Sequence, residues 1–89
     1  MELEKFKEGT FYYYKNGLVI SSKVTNVKLE AKDFISISFG CGSVDMFVKG
    51  IKPIKRPGNI IAKFEWCYIL RDTNGDCLGY VGKKVEEDD

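Results

Sequence analysis

The sequence predicts an all-β protein, a small partly open barrel of five or six antiparallel strands. Three observations carry that expectation. Apolar and polar residues alternate with period 2 through most of the 89 residues. Nine glycines fall mostly between the apolar runs, where turns belong. The dipeptide Asn-Gly, which suits a tight hairpin because both residues accept positive φ, stands at Asn16-Gly17 and again at Asn74-Gly75.

The elements follow in chain order. Met1 to Glu8 alternates acids and bases and reads as an arm with at most one helical turn. Thr10 to Thr25 reads as a hairpin about Asn16-Gly17, pairing Lys15 with Leu18, Tyr13 with Ile20 and Phe11 with Ser22. One face then carries Phe11, Tyr13, Leu18 and Ile20 and is expected in the core. The other carries Tyr12, Tyr14, Val19, Ser21 and Lys23 and is expected at the surface. Val24 to Leu29 continues as a strand, and Ala31-Lys32-Asp33 turns. In Phe34 to Phe39, Ile35, Ile37 and Phe39 alternate with Ser36 and Ser38, as in a half-buried antiparallel strand.

Gly40-Cys41-Gly42-Ser43 makes the next turn, after which Val44, Met46 and Val48 alternate with Asp45, Phe47 and Lys49. Pro53 and Pro57 remove two backbone donors from Gly50 to Gly58, so this stretch is a loop or an edge. Asn59 then opens a long strand with Ile60, Ala62, Phe64, Trp66, Tyr68 and Leu70 on one inward face. A two-residue turn at Asn74-Gly75 pairs Asp72 with Cys77, Leu70 with Gly79 and Tyr68 with Val81. It sets Cys67 and Cys77 on opposite faces, where their Cβ vectors diverge and no disulfide forms. The organisation is an N-terminal arm, 1–8, one β-barrel domain, 9–84, and an acidic tail, 85–89. A flat sheet this small leaves one face bare, and closure buries both hairpins and most edges. An SH3-like barrel is the leading architecture, with an OB-like barrel or a small sandwich as alternatives.

Composition narrows the function. The chain has no His, which removes His-dependent triads, the commonest general base and most zinc and haem ligand sets. Three cysteines, an odd number without CxxC spacing, read as reduced thiols of a cytoplasmic protein, in the host cell if the source is viral. No apolar run reaches the ~18 residues of a membrane helix, and Met1 to Glu8 has no apolar signal-peptide core. The net charge of +1 conceals a division: residues 9–84 hold 12 basic and six acidic groups, and Glu86, Glu87, Asp88 and Asp89 close the chain.

Cys41 lacks the neighbouring His or helix N-terminus that makes a thiolate nucleophile, and reads as a turn residue. Asp72, Asn74 and Asp76 share the opening spacing of a calcium loop, but Cys77 and Lys83 stand where its Gly and Glu belong. Turn chemistry explains them, so no metal and no cofactor is expected. Tyr12, Tyr14, Lys23 and Phe47 are the candidate partner-binding residues, since a rigid aromatic ring adds contact area at low entropic cost. Lys49, Lys52, Lys55 and Arg56, with no acid among them, are the candidate phosphate contacts. The plainer reading of that segment is a solvated loop whose lysines guard an edge.

Trp66 to Asp76, WCYILRDTNGD, is similar to the C-terminal hairpin of phage uracil-DNA glycosylase inhibitors. The similarity covers eleven residues, that family is strongly acidic whereas this body is +6, and no functional residue carries over. Gly9 to Ile54 has a loose Tudor-like or SH3-like rhythm without an assignable aromatic cage.

The expectation is a non-enzymatic binding module acting by protein–protein interaction, such as a small viral or accessory regulator or inhibitor that occupies a partner's surface. Self-association through sheet edges makes a dimer the variant of that reading. The alternative is a small nucleic-acid-binding barrel whose basic loop meets phosphates. Neither a membrane nor a small-molecule cofactor is expected as a partner.

Overall fold

A computed structural model describes residues 3–86. The chain is all-β, with seven antiparallel strands in one sheet of order β4-β3-β2-β1-β7-β6-β5. The strands are β1 (Thr10–Lys15), β2 (Leu18–Ala31), β3 (Phe34–Phe39), β4 (Gly42–Phe47), β5 (Ile51–Pro53), β6 (Phe64–Arg71) and β7 (Cys77–Lys84). Five or six were expected. Chain after Gly50, expected as loop or edge, supplies the three-residue β5 as a separate strand.

Every strand places a side chain in one buried cluster. Phe11, Val24, Ile35, Ile37, Met46, Ile51, Leu70 and Val81 meet there with Phe6. The two edges, β4 and β5, would stand about 29 Å apart in a flat sheet, six strand spacings of about 4.8 Å. A single 3-10 turn, Val48–Gly50, joins them, and three residues reach only about 10 Å. The sheet is therefore curled until its edges approach, and Met46 and Ile51 share one core.

β2 makes the curl possible. Its first part pairs with β1 and its second with β3, and a register shift between Val24 and Asn26 marks the bend between them. An extra residue in one strand increases local twist and bends the ribbon. The first hairpin has the expected register, Lys15 with Leu18 through Phe11 with Ser22. Asn16 and Gly17 take φ of 53° and 78°, as a type I′ turn requires.

The second hairpin departs by one residue. Leu70 pairs with Gly79 and Tyr68 with Val81 as expected, but Cys77 pairs with Arg71 instead of Asp72. The Asp72 N–H donates to the Asp76 carbonyl at 3.0 Å and the Gly75 N–H to the Asp72 carbonyl at 3.0 Å. This is a three-residue turn with Gly75 at φ 85°, and the Asp72 carboxylate accepts the Asn74 and Asp76 N–H groups at 2.9 and 3.0 Å. Gly79 follows at φ 149°, and a Cβ there would lie 2.5 Å from Phe11 Cζ and 2.7 Å from the Tyr12 carbonyl oxygen. The large ring of Phe11 fills the space that a side chain at 79 would need.

Several expectations about packing are corrected, among them Leu18, expected in the core and 67% exposed beside the first hairpin turn. The strand expected from Asn59 begins only at Phe64, and a register shift between Phe64 and Trp66 reverses the alternation. Trp66, Tyr68 and Leu70 face the core side, whereas Phe64, opposite Lys84, faces out. Leu3–Glu8 is a 3-10 helix, and its Phe6 is fully buried against Trp66 and Tyr68, with ring centroids 5.7 and 5.2 Å away. Lys5 holds the helix from outside: its Nζ donates to the Tyr68 hydroxyl at 2.7 Å and lies 4.7 Å from that ring's centroid.

Candidate functional site

The candidate tyrosine face is built from β1. Alternation sends Phe11 and Tyr13 inward and Tyr12 and Tyr14 outward, as expected. The outer face of β1 is nevertheless not bare. Residues 54–63 form no strand and are pinned at both ends: the Ile54 N–H donates to the Cys67 carbonyl and the Val85 N–H to the Lys63 carbonyl, each at 2.9 Å. Between these pins Pro57 is fully buried and the Asn59 N–H donates to the Tyr14 hydroxyl at 3.3 Å.

Tyr12 is consequently interior, only 6% exposed, with its ring edge-on to Phe64 at 5.8 Å. This corrects the expectation of an exposed Tyr12, and burial raises its phenol pKa. Tyr14 is 42% exposed, edge-on to Tyr80 at 6.2 Å. Burial, then a hydrogen bond with Cys77, pushes Tyr80 up to about 12. Lys23 is exposed and donates to the Glu8 carbonyl at 3.1 Å.

Phe47 lies elsewhere, on the outer face of β4, edge-on to Phe34 at 4.9 Å. Three strand spacings separate β4 from β1, about 14 Å, so Tyr14 and Phe47 do not form one patch. Phe47 instead walls a groove of about 470 Å³ with Lys32, Asp33, Val48 and Lys49. The Lys49 Nζ stands 5.8 Å from the Phe47 ring centroid.

The four candidate phosphate contacts are also divided. Lys49 belongs to the Phe47 groove and Lys52 to the edge strand β5. Lys55 and Arg56 converge with Lys63, Ala62 and Phe64 on a separate cavity of about 280 Å³. The Arg56 Nη1 donates to the Ile60 carbonyl at 3.1 Å, which fixes its guanidinium there.

No known family model, curated protein or solved structure matches the chain.

The cysteines are free thiols in three different settings. Cys41 is exposed, its Sγ 3.3 Å from the Tyr13 hydroxyl, and that contact raises the Tyr13 pKa. Cys67 is buried, and burial pushes its thiol up to about 11, which keeps it protonated and unreactive. Cys77 is exposed at the β7 bulge, its Sγ 3.7 Å from the Gly79 carbonyl. Among the described residues no group of three or more His, Cys, Asp or Glu could hold a metal ion.

Lys32, Lys63 and Phe64 were not singled out from the sequence. Lys32 looked like a turn residue and Phe64 like core. The bulge after Phe64 turns its ring to the outer face, and the Lys63 carbonyl bond to Val85 holds the neighbouring lysine at the end of the sheet.

Proposed function

We propose that the chain is a non-enzymatic binding module that captures an extended acidic and apolar segment of a partner protein along β4. The observation that carries this is the contrast between the two sheet edges. An exposed edge offers unpaired N–H and C=O groups, and proteins blunt it with proline, charge or shortness. β5 is three residues long and carries Lys52 and Pro53. β4 is six residues long, has no proline, and carries Asp45 as its one charge. The guarded edge is built to stay alone, and the unguarded one is suited to receive a strand.

The surroundings of β4 suit such a segment. Backbone pairing supplies affinity and pockets for alternate side chains supply selectivity in this mode of recognition. Phe47 offers an apolar wall beside the edge, and Lys32 and Lys49, against the one carboxylate of Asp33, flank it for an acidic side chain. The finer architecture fits the same reading: a long bent strand shared by both halves of the sheet, and one 3-10 turn between its edges, suit a partly open SH3-like barrel.

The test is selection from a library of displayed extended peptides, followed by amide hydrogen exchange. Selected peptides should be acidic and apolar, and should protect the β4 amides. Phe47→Ala should weaken them about tenfold or more, as loss of an aromatic anchor does. Peptides that bind without protecting β4, or a second copy of the chain occupying β4 in sedimentation, would overturn the proposal.

A further inference from the structure

We infer that the cavity formed by Lys55, Arg56, Lys63 and Phe64 is a binding site for single-stranded nucleic acid, seating a backbone phosphate among the cations and a base against the ring. It lies on the 54–63 segment and is independent of the β4 edge. Lys55 and Arg56 follow β5, and Lys63 precedes β6, so the two ends of one connecting segment bring three cations to one cavity. Lys84, opposite Phe64 in the β6–β7 register, does not line the cavity; its Nζ lies 5.8 Å from the Tyr12 ring centroid.

Gathering like charges costs repulsion unless an anion offsets it. Among the described residues the cavity lining contains no carboxylate. Among the described residues no acid pairs with Lys55, Arg56, Lys63 or Lys84; neighbouring Glu65 is held by Lys83 at 3.5 Å. The cations are also placed by built structure. The backbone bonds of Ile54 and Val85, the Ile60 N–H to the Pro57 carbonyl at 3.2 Å, and Arg56 on the Ile60 carbonyl fold the segment on itself.

Phe64 identifies the anion. A site for a bare phosphate needs donors only, whereas a strand of nucleic acid is held by cations along its backbone and by aromatic faces under its bases. Here an aromatic ring lines the same cavity as the cations. The volume of about 280 Å³ lies at the low end of ligand pockets, which suits one nucleotide of a strand. A duplex keeps its bases stacked inside and offers Phe64 nothing.

The experiment is fluorescence anisotropy with a labelled oligonucleotide of about 15 nucleotides, DNA and RNA in separate arms, with duplex and inorganic polyphosphate as competitors. The full chain should bind the single strand, and Lys55→Ala/Arg56→Ala/Lys63→Ala should lower affinity about tenfold or more and flatten the slope of log K against log salt by about 2. Phe64→Leu should weaken the oligonucleotide by about fivefold or more and leave polyphosphate unaffected. Phe47→Ala should change neither. The triple variant alters exposed side chains and removes the exposed Arg56–Ile60 hydrogen bond, so Lys55→Ala/Lys63→Ala, which leaves that bond in place, is the second variant: its urea midpoint should match the parent and its affinity should still fall severalfold. No binding by the full chain, an unaffected triple variant, or an oligonucleotide affinity unchanged by Phe64→Leu would each overturn the inference.

Discussion

Replacing Phe6 by Ala is expected to cost the domain a large share of its stability. Phe6 belongs to a six-residue 3-10 helix at the end of the described chain, a position where side chains are usually frayed and replaceable. Here it is 0% exposed, joins the core cluster of all seven strands, and meets both Trp66 and Tyr68. Truncation of a fully buried Phe costs about 3–5 kcal/mol, counting lost transfer energy and the cavity left behind. An exposed residue costs less than about 0.5 kcal/mol. The stability of a domain this size is on the order of 5–10 kcal/mol, so the substitution should remove about half of it. Urea unfolding is the assay. With a slope near 1 kcal/mol/M for a small chain, the midpoint should fall by about 3–5 M at unchanged slope. Phe6→Leu, which fills most of the space, should lose about 1–2 kcal/mol. A Phe6→Ala midpoint within about 0.5 M of the parent would refute the reasoning and return residues 3–8 to the status of an arm.

Three further outcomes are expected. Gly79→Ala should destabilise by about 2 kcal/mol or more, because φ of 149° and a Cβ 2.5 Å from Phe11 Cζ cannot both be relieved; urea melts check it, and a neutral effect would sink it. In the native state iodoacetamide should label Cys41 and Cys77 and spare Cys67, which should react only on unfolding; mass spectrometry of the labelled chain reads the count. Stability should fall at alkaline pH. The folded pKa values of Cys67 and Tyr80, about 11 and about 12, stand above their ordinary 9.0 and 10.0, so the unfolded chain loses these protons first. Their contribution is intact below pH 9 and disappears as pH rises toward 12. In urea midpoints measured across that window, Cys67→Ala should show a shallower decline, and an identical decline would contradict the assignment.

Much of the sheet was legible because hairpin register follows from turn chemistry and a strict period of two. Tyr13 opposite Ile20 and Tyr68 opposite Val81 follow from the Asn-Gly positions. What escaped was each place where one residue breaks the period. The shift between Phe64 and Trp66 leaves no mark in a run of aromatic and aliphatic residues, so Phe64 looked like core. The Asp72 turn kept its Asn-Gly and gained a residue, which only its hydrogen bonds reveal. Tyr12 was placed on the correct face with the wrong environment. Its burial goes with the Phe64 ring that the bulge turns onto it and with residues 54–63 returning to β1 at Tyr14, and a segment without period or strand signal does not announce where it lies. The same return gathers Lys63 to Lys55 and Arg56, so the candidate cavity was half legible.

The near-neutral charge is a poor guide to what this surface attracts. Acids and bases are unevenly paired over the described surface. Glu4 is held by Lys7 at 3.1 Å, and Glu8 and Glu65 flank Lys83 at 3.8 and 3.5 Å, so these carboxylates neutralise cations on the N-terminal helix and β7. The cations of the 54–63 cavity receive none of that charge among the described residues. At about 0.1 M salt a charge is felt over about 10 Å, so an incoming ligand responds to the nearest cluster and scarcely to the sum over the chain. The Phe47 groove, with Lys32, Lys49 and Asp33, and the Phe64 cavity, with three cations and no acid among the described residues, therefore act as separate electrostatic surfaces. A backbone edge with modest charge suits a peptide, and a ring among concentrated charges suits a phosphate strand. Salt should consequently separate the two activities: raising it should abolish oligonucleotide binding well before peptide binding on β4, which rests on backbone hydrogen bonds and the Phe47 ring.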